Sequence, residues 1–180
     1  MLLTAASLRD YNDLGEHVDW EVIRMGRCID TYIDIDAPPQ RVWQVLIDLP
    51  AWREWNPFIP SITGKLETGA RLQITVSPPG IKSMEFNPKV FAVRPCKEII
   101  WGGSFLLFVY RGDHAILLEP LPSGGTRFRQ CERFRGPMVL FMGRMFKPTE
   151  QGYHQMNRAL KGRVEGNPGS WKGTNRTCSQ

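Results

Sequence analysis

The spacing of apolar residues changes after residue 135 of this chain of 180 residues, and that change limits the folds it can adopt. Between residues 27 and 135, apolar and polar residues alternate in short stretches, as on β-strands with one buried face. From Met138 to Val164 apolar residues recur every three or four positions, which predicts one long amphipathic helix. Pro148 lies inside this stretch, so we expect the helix to kink or break near Lys147.

The predicted elements follow one another in an α+β order. A strand ending at Ile35 comes first, and Pro38-Pro39 starts a short helix. Roughly six more strands follow, one of them running through Phe86, Pro88 and Val90 with the proline at an edge or bulge. An antiparallel sheet that curves around the long C-terminal helix would leave a space for a ligand between them.

Composition favours a soluble, globular, single-domain protein. Hydrophobic residues make up 42% of the chain and charged residues 23%, which is too apolar for a disordered protein. No uncharged apolar run approaches the ~18 residues of a membrane span. Residues 1–10 lack the basic and apolar regions of a signal peptide. We therefore expect a cytoplasmic protein without stable membrane insertion.

Charge and cysteine content argue against nucleic-acid and metal partners. The net charge is +5 at pH 7, but residues 161–180 hold four basic residues and one acidic residue, as a solvated tail often does. The chain has no CxxC, and its three histidines lie far from its cysteines, Cys28, Cys96, Cys131 and Cys178. We therefore predict four free thiols, no metal site, no cofactor and no nucleic-acid partner.

The last two strands can be placed in register from their sequence. If the turn centres on Ser123, His114 lies opposite Glu132 on the inner face, with Gln130 adjacent. The outer face then carries two pairs of opposite charge, Asp113 with Arg133 and Glu119 with Arg127. A slip of one residue would bury those charges, so the pattern itself supports this register.

Two interpretations of His114 and Glu132 remain open at this point. They could form a general acid–base pair, because the carboxylate would fix the histidine tautomer and stabilise its imidazolium. They could equally form a buried polar pair that orients the sheet and sets the polarity of a ligand. The apolar segment 105–110 is likewise either a buried strand or a lid or association surface at a cavity mouth.

Several short stretches between residues 27 and 165 carry a family resemblance in their order and spacing. They are residues 35–43, 55–58, 64–72, 112–114, 118–120, 125–128, 132–134 and 156–161. Together they resemble the SRPBCC superfamily, whose branches are also called START-like, Bet v 1-like or polyketide cyclase/dehydrase-like. The resemblance implies a helix-grip fold, with a deep apolar cavity between a curved antiparallel sheet and a long C-terminal helix.

The resemblance also implies a range of functions. Members bind or transport lipids, sterols and hormones, or act as aromatase/cyclases and related enzymes on natural products, and the fold alone does not choose among these. Trp55, Asn56, His114 and Glu132 fall where this branch commonly carries the same residue types. The chain departs from the family pattern at its N-terminal extension, at Pro148, in the 105–110 segment and in its tail.

We therefore predict a helix-grip domain over residues 27–165, after an N-terminal extension (1–26) and before a flexible polar tail (166–180). Its cavity would hold a lipid-, polyketide- or terpenoid-like molecule, as carrier or sensor. Alternatively it would catalyse metal-independent cyclisation, dehydration or isomerisation, with His114 as acid and base, Glu132 as its orienter and Gln130 or Asn56 holding a carbonyl. The expected binding residues are Trp55, Asn56, Leu72, Ile74, Val76, Phe86, Val90, Trp101, Ile116, Phe128, Gln130, Phe134, Met142, Met145, Tyr153 and Met156.

Overall fold

The computed structural model of the protein describes residues 26–105, 109–166 and 178. The predicted N-terminal extension and polar tail therefore lie almost entirely outside the described residues. So does the centre of the apolar 105–110 segment, residues 106–108. Across the remainder, the prediction of an α+β fold built on antiparallel strands and a long C-terminal helix is confirmed.

The described strands form two antiparallel sheets. They are β1 (Arg27–Ile35), β2 (Ser61–Gly64), β3 (Leu72–Val76), β4 (Met84–Phe86), β5 (Lys89–Arg94), β6 (Glu98–Phe105), β7 (Tyr110–Pro120) and β8 (Thr126–Arg135). The larger sheet has five strands in the order β1-β8-β7-β6-β5, and the smaller has three in the order β2-β3-β4. The sheets are joined where Leu72 N donates to Pro88 O at 2.9 Å and Val90 N donates to Ala70 O at 2.8 Å.

The junction between the sheets corrects the single strand expected through Phe86, Pro88 and Val90. Phe86 belongs to β4 and pairs with Ile74, whereas Val90 belongs to β5 and pairs with Trp101. Pro88 lies between the two strands, and it has no N–H with which to continue a ladder. The proline therefore separates two strands instead of marking a bulge within one.

Three α-helices accompany the sheets in the described part of the chain: α1 (Pro39–Ile47), α2 (Trp52–Trp55) and α3 (Gly143–Glu165), with a 3-10 helix (Leu49–Ala51) between the first two. A 3-10 helix (Pro137–Phe141) precedes α3, so the prediction of one continuous helix from Met138 is wrong at its start. Of the kink or break expected near Lys147, the break is absent, because α3 runs continuously through Pro148. Pro148 lies five residues into α3, where the carbonyl that loses a donor belongs to the first turn.

Helix α3 packs along the inner face of the larger sheet and closes the core. The ring of Phe146 meets Phe134 of β8 at 5.2 Å between centroids. Further along the helix, Lys161 Nζ donates to the carbonyl of Asp34 in β1 at 2.7 Å. Gly152 allows close approach, because a Cβ at this position would lie 2.1 Å from the ring of Phe58. None of the helices described here is long and apolar enough to cross a membrane.

The cysteines differ from the expectation of four free thiols. Cys96 and Cys178 form a disulfide, with Cα atoms 5.6 Å apart although 82 positions separate them in the chain. Cys28 and Cys131 are free. Spacing along the chain does not reveal this pairing, because it depends on how the folded chain brings together residues that are distant in sequence.

Candidate functional site

The hairpin of β7 and β8 has the register predicted from its sequence. His114 lies opposite Glu132, and Ile116 lies opposite Gln130. The side chains of His114, Ile116 and Gln130 are buried. This face of the sheet is therefore apolar but carries a small group of polar side chains beneath α3.

Asp113 lies opposite Arg133 and Glu119 lies opposite Arg127, as predicted, but the ion pairs that form join these charges to other side chains. Arg127 binds Asp34 of β1 at 2.8 Å, and Arg129 binds Asp30 of the same strand. Asp113 lies between Arg111 and Arg135, at 3.0 and 2.7 Å. The register is correct, and Arg127 bonds to the residue directly opposite it on β1. Arg129 and Arg135 instead reach diagonally to a neighbouring strand, and Arg111 reaches along its own strand.

Tyr153 of α3 stands between His114 and Glu132. Its hydroxyl donates to Glu132 Oε2 and lies 2.7 Å from His114 Nδ1. Because that hydroxyl proton is used toward the carboxylate, the hydroxyl oxygen accepts from Nδ1–H. His114 Nε2 then carries a lone pair, and this atom is buried without a partner among the described residues.

Stacking holds the imidazole in place. The ring of Trp101 on β6 lies parallel to it, with centroids 4.9 Å apart and 6° between the planes. The ring of Phe58 meets Tyr153 edge-on at 4.9 Å. Aromatic contacts of these kinds restrict the orientation of the two rings that carry the polar atoms.

Burial sets the protonation states of this cluster. It lowers the pKa of His114 to about 3, so the imidazole is neutral and the expected imidazolium is disfavoured. Burial also raises the pKa of Glu132 to about 7, against the opposing effect of the hydrogen bond from Tyr153. Burial and the nearby carboxylate raise the pKa of Tyr153 well above its ordinary value. Glu132 is therefore the member of the cluster that titrates near neutral pH.

Asn56 and Trp55 lie at the end of α2. Asn56 Oδ1 accepts from the backbone N–H groups of Phe58 and Ile59, at 3.1 and 2.9 Å, and so shapes the turn. Asn56 Nδ2 and Trp55 Nε1 are buried without partners in residues 26–105 and 109–166. Asn56 thus has a structural role as well as a free donor.

A second polar contact lies deeper between α3 and the sheet. Gln130 Nε2 donates to Asn157 Oδ1 at 2.5 Å, and Asn157 Nδ2 donates to Thr31 Oγ1 at 3.3 Å. Gln130 Oε1 has no partner among the residues described. The bridging position of Tyr153 and the contacts of Asn157 and Thr31 were not predicted, because they depend on how α3 lies across the sheet.

The apolar residues predicted to bind a ligand differ in burial. Nine are buried in the core: Leu72, Ile74, Val90, Trp101, Ile116, Phe128, Phe134, Tyr153 and Met156. Four are half-buried, namely Trp55, Val76, Met142 and Met145. Phe86 lies on the three-residue strand β4 and has 38% of its surface exposed. No group of three His, Cys, Asp or Glu side chains in the described ranges could hold a metal ion.

Comparisons with known proteins agree with this architecture. Residues 27–165 match the family described as polyketide cyclase/dehydrase and lipid transport. No curated protein sequence matches the chain significantly. Protein TTHA0849 from Thermus thermophilus superposes with a TM-score of 0.62 at 15% identity, over 79% of this chain and 99% of its own.

Two further solved structures share the fold. A norcoclaurine synthase point mutant from Thalictrum flavum, in complex with a transition-state analogue, has a TM-score of 0.60 at 14% identity, over 79% of this chain and 96% of its own. Protein MLL2253 from Mesorhizobium loti has a TM-score of 0.59 at 20% identity, over 79% and 98%. At these identities the likeness shows the fold, and the predicted helix-grip architecture is confirmed.

Proposed function

The chain belongs to the polyketide cyclase/dehydrase and lipid transport family, and from this we propose that it binds a hydrophobic small molecule between α3 and the larger sheet, as a carrier or sensor. The observation that carries the proposal concerns five buried polar atoms without partners in the described residues. Four of them belong to predicted site residues, Trp55 Nε1, Asn56 Nδ2, His114 Nε2 and Gln130 Oε1, and the fifth is Arg135 Nε. Each such atom costs about 1–3 kcal/mol when left unsatisfied. A ligand that bonds to the four site atoms recovers this energy.

The four atoms specify the polarity of the ligand. Trp55 Nε1 and Asn56 Nδ2 are donors, which suit a carbonyl or ether oxygen. His114 Nε2 and Gln130 Oε1 are acceptors, which suit a hydroxyl group. The surrounding side chains are apolar and aromatic, so the rest of the ligand is hydrophobic. A hydroxylated and oxygenated ring compound of the polyketide or terpenoid kind meets these requirements.

Access to the site depends on side chains that can move. The four polar atoms are closed off from solvent, whereas Glu132, Trp55, Met142 and Met145 each keep part of their surface open. Methionine side chains are unbranched and readily change rotamer. In the proposed function the ligand enters beside the methionines and reaches His114 after they shift.

Binding is tested with two probes that differ in one group, 2-naphthol and 2-methylnaphthalene. Wild-type protein should bind 2-naphthol about 3- to 10-fold more tightly, because only its hydroxyl can donate to His114 Nε2. The H114F variant keeps an aromatic ring beside Trp101 but lacks the acceptor, so it should lose this preference. H154F alters the exposed histidine of α3 and should keep it. Equal preference in wild type and H114F would contradict the proposed role of His114.

The natural ligand is sought by native mass spectrometry of the full chain after incubation with an extract of its source cells. A compound that is recovered unchanged supports a carrier or sensor. A species lighter by one water, or an isomer with a new retention time, supports an enzyme.

One observation favours a second candidate function, acid–base catalysis on the bound molecule. Tyr153 connects His114 to a carboxyl whose pKa is about 7, so a proton can pass between them near neutral pH. His114 Nε2 would take a proton from carbon or oxygen of the substrate as Nδ1–H passes its proton to the tyrosine oxygen. Tyr153 would pass its own proton to Glu132. The imidazole only changes tautomer in this relay, so its low pKa is no obstacle.

The relay predicts hydrogen exchange in a ketone probe. In D2O, wild-type protein should accelerate deuterium incorporation next to the carbonyl of 2-tetralone by about 10²–10⁴-fold over buffer. The rate should rise with pH through about 7, because Glu132 must be ionised to accept the proton. H114Q and E132Q should abolish the acceleration, and H154Q should retain it. An exchange rate in wild-type protein equal to that in buffer would contradict the catalytic function but not the carrier function.

A further inference from the structure

Cys28 and Cys131 lie side by side on the outer face of the larger sheet, away from the inner polar cluster. In the β1–β8 ladder Cys131 is opposite Asp30, and Cys28 is opposite Arg133. The two cysteines are therefore diagonal neighbours on the same face, and their Sγ atoms are 3.3 Å apart. Nothing in the proposed ligand binding or catalysis uses this pair.

The surroundings make the two thiols unequal. Cys28 is exposed, whereas Cys131 is half-buried. The hydrogen bond from Cys131, with help from Arg133 and Arg129, lowers the pKa of Cys28 to about 7 against burial and the charge of Asp30. The same pairing and burial raise the pKa of Cys131. Cys28 is thus the accessible thiolate, and Cys131 is the thiol held within reach of it.

We propose that Cys28 and Cys131 form a redox-active dithiol that is oxidised by low-molecular-weight disulfides and closes into a disulfide between β1 and β8. The Cys28 thiolate attacks one sulfur of the small disulfide, forms a mixed disulfide and expels the first small thiolate. Cys131 then loses its proton and attacks Cys28 Sγ, which expels the second small thiolate. Two protein thiols are oxidised and one small disulfide is reduced to two small thiols, so atoms and electrons balance.

The geometry requires little movement for the second step. A disulfide has its sulfur atoms about 2.05 Å apart, and the two Sγ atoms begin at 3.3 Å. Side-chain rotation can supply most of the approach, because Cys28 is exposed. Both cysteines are already held by the ladder, which raises the effective concentration of the resolving thiol.

The test uses the full chain equilibrated with mixtures of reduced and oxidised glutathione, followed by alkylation of the remaining thiols and peptide mapping. Wild-type protein should form a Cys28–Cys131 cross-link that lacks two hydrogen atoms and carries no glutathione. C131S should stop at a stable glutathione adduct on Cys28. C28S should react at Cys131 at least about 10-fold more slowly than Cys28 reacts in wild type, because the accessible thiolate is gone.

Two results would overturn the proposal. One is wild-type protein that accumulates glutathione on both cysteines without a cross-link, and the other is equal reactivity of Cys131 in C28S and Cys28 in wild type. The double variant C96S/C178S is the matched control, since it removes the other disulfide without freeing a third thiol and leaves this pair intact. It should form the cross-link as wild type does. C131A repeats the C131S experiment with a different side chain, so that a folding defect in one variant does not decide the result.

Discussion

At the scale of single residues, His114 and Glu132 affect the pH dependence of stability in opposite directions. The folded-state pKa of Glu132 is raised from 4.5 to about 7, so its contribution to stability falls as pH rises through that range. The folded-state pKa of His114 is lowered from 6.5 to about 3, so its contribution rises with pH between those values. Between pH 4.5 and 6.5 the folded and unfolded states bind equal numbers of protons at this pair, and the two effects cancel.

Single variants should remove this cancellation. Relative to wild type, the free energy of unfolding of E132Q should rise with pH from 4.5 to 7, and that of H114Q should fall from 3 to 6.5. Each slope should reach at most about 1.4 kcal/mol per pH unit. Urea unfolding at a series of pH values measures both differences. The contributions of carboxylates common to wild type and variants cancel in these differences. Flat differences for both variants would show that neither group is perturbed by burial.

Tyr153 should control the acidity of Glu132 directly. Its hydroxyl donates to the carboxylate and thereby lowers the pKa of that carboxyl. In Y153F this bond is lost while the ring remains, so the pKa of Glu132 should rise above about 7. An infrared titration of the protonated carboxyl measures the change. Y32F alters a tyrosine that is 59% exposed and should leave the titration unchanged. A pKa in Y153F equal to or below the wild-type value would contradict the bridge.

The predicted residues and the observed cluster differ for a physical reason. The opposition of His114 and Glu132 was predictable, because it follows from the two-residue period of a hairpin whose outer face is charged. The bridge through Tyr153 was not, because a helical residue meets a sheet at a point set by the rotation and axial position of the helix. The sequence therefore predicted Tyr153 only as part of an apolar wall, although its hydroxyl joins the two groups.

At the scale of elements, α3 packs against Phe58 too closely at Gly152 to leave room for a side chain there. A Cβ there would lie 2.1 Å from Phe58, whereas a Cβ at Gly162 of the same helix would meet nothing within 4 Å. We expect G152A to destabilise the protein by about 1–3 kcal/mol through overpacking. G162A should stabilise it by about 0.5–1 kcal/mol, because alanine suits a helix interior better than glycine. Urea unfolding compares the two.

A double-mutant cycle assigns the cost of G152A to the ring of Phe58. F58L makes the facing side chain smaller, so G152A should cost less in the F58L background than in wild type. An equal cost in both backgrounds would mean that the new methyl group clashes with something other than Phe58.

Element boundaries were less predictable than strand register. The alternation on β7 and β8 was decisive because a slip would bury charge. By contrast, apolar residues recur with helical spacing from Met138 onward without interruption. The structure nevertheless has two elements there, a 3-10 helix and then α3. Periodicity of three and periodicity of 3.6 are hard to separate over a few residues. The separation of β4 and β5 at Pro88 depends on the presence of a second sheet, which no local sequence pattern indicates.

At the scale of the whole molecule, the residues matched by the family and the residues that form the core span nearly the same range. The buried apolar cluster runs from Ile29 to Val164, and Cys178 is the one described residue beyond Gly166 that packs against it. We therefore expect a fragment of residues 27–165 to fold cooperatively by itself. Its stability should be below that of the oxidised full chain, because the Cys96–Cys178 disulfide is lost. A disulfide closing a loop of this length contributes up to about 4–5 kcal/mol.

Full-length C178S distinguishes the disulfide from the rest of the tail. It keeps the termini apart from the change of Cys178 to serine and lacks the covalent link, so its free energy of unfolding should equal that of the fragment within about 0.5 kcal/mol. Reductant should bring the wild-type chain to this value and leave the fragment unchanged. If the fragment is less stable than C178S by more than this margin, residues outside 27–165 pack on the domain and contribute to its core. If it fails to unfold cooperatively, the domain boundary is wrong. Agreement would mean that the sheet, α3 and the polar cluster between them form an independent unit, to which the tail adds one covalent link.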